Sequence, residues 1–156
     1  MEWISVGIDP GATGGFAYVG SDGSVGAWTL DTKCLRDLID CINELPKHNK
    51  LAAALEYVWG RGGGWSAHTN FQLGGAYHVA KQALEIKQIP FAEIRPKDWQ
   101  AHVWDSWEHP HTSAERKATL VLAAEAHYPH LKLKSGEADA ILLARYQANR
   151  VFGAPL

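Results

Sequence analysis

The chain of 156 residues has only two cysteines, a single methionine and a net charge of just −2. Cys34 and Cys41 cannot staple a small secreted fold. They fall seven positions apart in a predicted helix, about 10.5 Å along its axis at ~1.5 Å per residue, beyond the roughly 7 Å Cα reach of a disulfide. They read as reduced core thiols of a cytosolic protein. No segment approaches the roughly 18 consecutive apolar residues of a membrane span. The N-terminus has no basic stretch before an apolar one, which predicts no signal peptide. The near-neutral charge argues against a nucleic-acid coat protein but not against an enzyme acting on nucleic acid, because local patches outweigh the sum. No repeat, low-complexity tract or linker interrupts the chain. One domain over 1–156 is expected, with enough length to bury a core.

What is present begins with strands. "WISVGID" (3–9) alternates imperfectly and turns at Pro10-Gly11, and "GGFAYVG" (14–20) and "SVGAWTL" (24–30) are joined by "SDG", a hairpin signal. Asp31 or Thr32 can cap a helix carrying Leu35, Leu38, Ile39, Ile42 and Leu45 at helical spacing, and Pro46 ends it. "LAAALEYVW" (51–59) is apolar enough to be buried on both faces, as parallel strands are. A glycine-rich loop, "GRGGGWSAHTN", leads to a helix from about Phe71 to Lys87. "IPFAEIRP" gives a fifth strand, "KDWQAHVW" a short helix, and "DSWEHPH" an aromatic, polar loop. "TSAERKATLVLAAEAHYP" predicts a helix capped by Thr112 or Ser113, and "SGEADAILLARYQANRVF" the last one. The order βββαβαβαα predicts an α/β layer fold with a mixed sheet.

Three carboxylates sit among apolar residues. Asp9 ends the first strand, Glu56 ends "LAAALE", and Asp139 precedes Leu142, Leu143 and Tyr146 at i+3, i+4 and i+7, on the apolar stripe of its helix. Each has an ordinary role available. Asp9 can bond its own turn, Glu56 can pair with a lysine, and Asp139 can favour a helix start. Together they point to a site, because parallel strands place the first and fourth strand ends side by side. An unpaired buried carboxylate needs a proton, a cation or a metal. A set of carboxylates without cysteine or histidine suits Mg²⁺, with Mn²⁺ able to substitute. Two such ions can clamp a scissile phosphate and activate a water.

The motifs in order resemble RuvC-type Holliday-junction resolvases of the RNase H-like superfamily, nearest the short phage-like members. The matching segments are "IDPGATGGFAYV", "LEYVW", "FQLGGAYHVA", "IRPKDWQ", "ERKATLVLAAEAHYP" and "EADAILLARY", which span nearly the whole chain. The resemblance implies an RNase H-like fold with a five-stranded mixed sheet, three antiparallel strands then two parallel, flanked by helices. It implies that Asp9, Glu56 and Asp139 are catalytic acids holding two Mg²⁺ ions. It further implies a homodimer making paired nicks in a four-way DNA junction, in the cytoplasm of a bacterial or phage-infected cell. One position departs. The family often has another acid three residues before the last one, and here that residue is Gly136. Glu137 stands in as a candidate fourth catalytic and metal-binding acid, its other role being a first-turn helix acid behind a Ser135 cap.

For DNA contact, Trp59 matches by resemblance an aromatic that wedges into the junction, and an exposed indole can stack on a base. Arg61 adds charge to the same loop, whose "GRGGG" lacks the Gly-Lys-Ser/Thr ending of a P-loop. Arg95, Lys97, Arg116, Lys117, Lys132 and Lys134 are candidate phosphate contacts, with Lys117 matching the family pattern. His109 and His111 form a His-x-His that lacks the further ligands a zinc site needs, so DNA contact or a plain loop is expected. Two rivals remain: a binding module with weakened catalysis, and an RNase H-like nuclease for other branched DNA or RNA. An actin-like ATPase also starts with Asp-x-Gly-x-Thr, but it duplicates the fold and needs a longer chain.

Overall fold

Alternation along the first strand sets the architecture. In the computed structural model, which describes residues 1–11, 13–30, 34–58 and 66–156, Trp3–Asp9 forms β1. Its Ile4, Val6 and Ile8 enter one core layer and are fully buried. With a side-chain period of two, Ser5, Gly7 and Asp9 must face the other layer. Gly15–Gly20 (β2) and Val25–Thr29 (β3) complete an antiparallel meander. Lys50–Glu56 (β4) then pairs parallel with β1, and Phe91–Ile94 (β5) pairs parallel with β4. The sheet order is β3-β2-β1-β4-β5. The expected mixed sheet, three antiparallel strands and then two parallel, is the one observed.

Leu35–Asn43 (α1) and Ala67–Ile86 (α2) cover the Ile4/Val6/Ile8 face through Leu38, Ile42, Tyr77, Ala80 and Leu84. Pro96–Trp104 (α3), Ser113–His127 (α4) and Ser135–Phe152 (α5) cover the opposite face, where Trp99, Leu120, Ile141 and Leu143 pack. Among the described residues no helix is long and apolar enough to cross a membrane.

Several boundaries differ from the sequence expectation. α2 starts four residues earlier than Phe71, because the Ser66 hydroxyl accepts the Thr69 N–H at 3.1 Å and satisfies an otherwise orphaned donor. β4 stops at Glu56 rather than running to position 59. Lys134, not Ser135, is the N-cap of α5. Cys34 is the N-cap residue of α1 rather than a helical one, and both thiols are free and half-buried. Asp31 and Thr32, the expected caps of α1, lie outside the described residues. Thr112 does cap α4, in a reciprocal box with Glu115.

Close backbone contact seats α5 on the sheet. A β-carbon on Gly7 would collide with the Ala140 carbonyl, and one on Gly15 with the Gly136 carbonyl. The Ser5 hydroxyl donates to the Ala144 carbonyl at 2.8 Å, so α5 runs antiparallel to β1, with 144, 140 and 136 passing over successive positions. A β-carbon on Gly136 would itself strike the Thr13 carbonyl. The acid that the resemblance expects at position 136 therefore has no room here. That glycine is a packing requirement.

Candidate active site

Parity and register bring the first two acids together. Ile8 pairs with Leu55, so Asp9 and Glu56 are the next residues along adjacent parallel strands. Both fall on the α3/α4/α5 face, Asp9 in step with Ser5 and Gly7, Glu56 in step with Ala54. They line a cavity of about 390 Å³ together with Tyr57, Ser113, Arg116 and Lys117. Asp139 approaches from the first turns of α5, close enough for Asp9 to raise its pKa and for it to raise that of Glu56.

All three carboxyls are driven toward their neutral forms. Burial pushes Asp9 up to about 6, opposed by the Gly11 N–H at 3.0 Å from Oδ1 and by the charge of Lys117. Burial also raises Glu56 to about 8, helped by the negative charges of Asp9 and Asp139 and opposed by the Trp99 indole and by Arg116. Asp139 rises to about 7 through burial and Asp9, against Arg116 and Lys117. Burial in a dry site is the common and largest cause, and neighbouring carboxylates add to it at Glu56 and Asp139. The turn-bonding role open to Asp9 is therefore realised as well, since its Oδ1 holds the Gly11 N–H.

A pH dependence follows. Each folded pKa lies above the ordinary value, so the folded protein holds protons that the unfolded chain has released. The stabilisation is complete below about 4 and is lost as pH rises through about 6 to 8. Without metal, the melting temperature should fall across this window. Mn²⁺ should raise it more at the alkaline end, where no proton competes with the ion. A metal-free melting temperature that climbs steadily from pH 5 to 8 would contradict this charge assignment.

Among the described residues no three His, Cys, Asp or Glu side chains stand in a ready-made metal-binding arrangement. The donor chemistry nevertheless fits a hard divalent ion. Asp139 Oδ1 is buried and has no hydrogen-bond partner among the described residues, and Asp9 and Glu56 offer only carboxylate oxygen. A buried acceptor left unmade costs ~1–3 kcal/mol, which a bound cation would offset.

Glu56 has a partner that the sequence reading did not single out. Trp99 Nε1 donates to Glu56 Oε2 at 2.8 Å, and the indole is only 1% exposed. Glu56 pairs with Ile94 at the end of β5, and α3 begins two residues later at Pro96. The first turn of α3 thus passes over the end of β4 and lowers Trp99 onto the carboxylate. "PKDW" held the only hint, a tryptophan in the first turn of a short helix right after a strand.

The remaining candidates are spread out. Glu137 is turned to structural use: Oε1 accepts the Thr29 hydroxyl at 2.7 Å and Oε2 the Lys134 N–H at 2.8 Å, tying the start of α5 to β3. Glu137→Gln should accordingly slow any cleavage far less than Asp139→Asn and cost ~1 kcal/mol of stability, as lost helix caps do. Matching losses of activity in the two variants would instead make Glu137 a ligand. Arg95 is engaged by Asp98 through two bonds of 2.8 and 3.1 Å. Lys97 lines a separate cleft with His109, His111 and Arg116. His109 and His111 belong to no metal-binding group of described residues. Lys132 and Lys134 are exposed just before α5. Trp59 and Arg61 lie outside the described residues.

No protein-family model matches the sequence, and no curated protein matches it. Solved structures do match in shape. A Thermus thermophilus RuvC in complex with a Holliday junction substrate superposes with a TM-score of 0.64 at 14% identity, covering 96% of each chain. A second Thermus thermophilus RuvC structure gives 0.56 at 17% identity over the same shares. With a five-stranded sheet ordered β3-β2-β1-β4-β5 and a match over 96% of each chain, this chain has the RuvC-type, RNase H-like fold.

Proposed function

We propose that the protein is a Mg²⁺-dependent endonuclease that resolves four-way DNA junctions by hydrolysing phosphodiester bonds. The observation that carries this reading is the meeting of Asp9, Glu56 and Asp139 at the strand ends, with a buried Asp139 oxygen that has no partner among the described residues and feels the charges of Arg116 and Lys117. The fold likeness to a RuvC bound to a Holliday junction supports the choice of substrate.

Asp9, Glu56 and Asp139 would hold the ions, and Gly136 and Glu137 would serve the packing and capping of α5. Two divalent ions, when bound, supply charge neutralisation at the scissile phosphate and lower the pKa of the attacking water. Lys117 and Arg116 stand at the same cavity to attract and orient the phosphate. Trp99 holds one carboxylate oxygen of Glu56, which lines the cavity. Trp59 and Arg61 follow Glu56 in the chain and keep their assignment as junction contacts by resemblance. Paired nicks need two such centres, hence a homodimer in the cytoplasm of a bacterial or phage-infected cell.

The test is incubation with an end-labelled four-way junction, with and without Mg²⁺ or Mn²⁺, beside a linear duplex and a flap. Metal-dependent nicks placed symmetrically at the crossover are expected. Binding without nicking in either metal would favour a junction-binding module. Preferential cutting of the flap would redirect the assignment to other branched substrates.

A further inference from the structure

Beside the acid cavity lies a larger cleft of about 650 Å³ between α3 and the start of α4, lined by Lys97, Gln100, Trp104, His109, His111 and Arg116. The two spaces share Ser113 and Arg116 and are therefore neighbours around the first turn of α4. The chain carries net negative charge, yet no carboxylate is among the described residues lining this cleft. Lys97 and Arg116 are its fixed cations. Trp104 is half-buried, and His109 packs against its ring at 5.6 Å between centroids.

The wall is held in place by specific bonds. Trp107 packs into the α3/α4/α5 core layer, and its N–H donates to the Val103 carbonyl at 3.1 Å, anchoring the near end of the loop. At the far end, one Glu115 oxygen accepts the N–H groups of His111 and Thr112 at 2.8 and 3.1 Å. Glu115 is thereby occupied with the backbone. A preset cleft with cations, an amide and an aromatic face matches the three parts of a nucleotide: phosphate, base edge and base face. Its volume falls in the ~300–1,000 Å³ range of small-ligand sites, which suits a nucleotide and not a duplex.

We infer that the cleft receives an unpaired nucleotide of the DNA strand whose neighbouring phosphate occupies the acid cavity. This rests on the nuclease reading above. Lys97 and Arg116 take the phosphates, and Trp104 takes the base. A base inside a duplex has both faces covered by its neighbours, so only a nucleotide freed from the stack can lie on an indole. The cleft thus selects DNA with unstacked residues beside the cut.

The experiment uses protein carrying Asp9→Asn, so that DNA is bound and not cut, and measures fluorescence anisotropy with a short single strand and the matching duplex. Adding Trp104→Ala should weaken single-strand binding at least ~5-fold, equal to ~1 kcal/mol, with duplex binding changed less than ~2-fold. Trp104→Phe should recover most of the loss, since it keeps an aromatic face. Lys97→Ala should weaken binding and lower the salt slope for single strands by about 0.7, the value for one phosphate contact. Circular dichroism on each variant checks the fold. Single-strand affinity unchanged in both Trp104→Ala and Lys97→Ala would overturn the inference, as would equal losses for both DNA forms in a folded Trp104→Ala protein. If wild-type protein never nicks a junction while these cleft effects hold, the nuclease reading fails and the nucleotide site stands. If wild-type protein nicks normally and neither Trp104→Ala nor Lys97→Ala changes single-strand affinity, the site fails alone.

Discussion

Asp9→Asn protein is expected to bind a four-way junction and to nick it at least ~10³-fold more slowly than wild type, a loss of roughly 4 kcal/mol at 1.4 kcal/mol per tenfold. The amide preserves shape and can still accept the Gly11 N–H through its oxygen, so the turn at the end of β1 survives. What disappears is a negative charge in a dry site. Glu56 and Asp139 each have their pKa raised by Asp9. Removing that charge should therefore bring both acids closer to their ordinary values and raise the melting temperature of the metal-free protein near pH 8. The same change should reduce the stabilisation that Mn²⁺ provides. Lower activity with higher metal-free stability is the signature of a charge cluster built for a cation. A variant that nicks at the wild-type rate would end the assignment of the site.

Trp99→Phe should slow cleavage by about 10- to 100-fold, in keeping with the ~1.5–3 kcal/mol assigned to a hydrogen bond with a charged group. Phenylalanine keeps a ring in the core layer and removes the indole N–H that bonds Glu56 Oε2. The loss should appear as a higher metal concentration for half-maximal rate, with junction affinity little changed. Trp99 also holds the Glu56 pKa down. Without it that pKa climbs further, so the acidic limb of the rate profile should move to higher pH. A role in packing alone predicts lower stability with neither shift. A separate measurement needs no activity: the indole N–H resonance of Trp99, assigned by its absence in Trp99→Phe, should move on Mg²⁺ addition. An indole resonance indifferent to the ion would mean that Glu56 is not a ligand in solution.

The fold was readable where the signal is local. A strand repeats every two residues, so the imperfect alternation in "WISVGID" was enough to mark a strand that ends in an acid at Asp9. The "SDG" turn closed the hairpin, and "LAAALE" declared a strand covered on both sides. Asp139 was legible because helical spacing put it in line with Leu142 and Leu143, which are buried.

Other features depended on residues distant in sequence. Gly136 reads as a missing acid until α5 is seen lying so close to Thr13 that a β-carbon is excluded. Glu137 reads as its substitute until Thr29, 108 residues away, takes one of its oxygens. Arg95 reads as a free cation until α3 turns Asp98 onto it. Trp99 meets Glu56 across 43 residues, through a parallel strand pairing followed by the rotation of a short helix. The sequence by itself determined which residues face which layer, because side-chain period is a property of the backbone. Only the tertiary structure decided which partners neutralise, orient or exclude them, because those contacts depend on where separately formed elements come to rest.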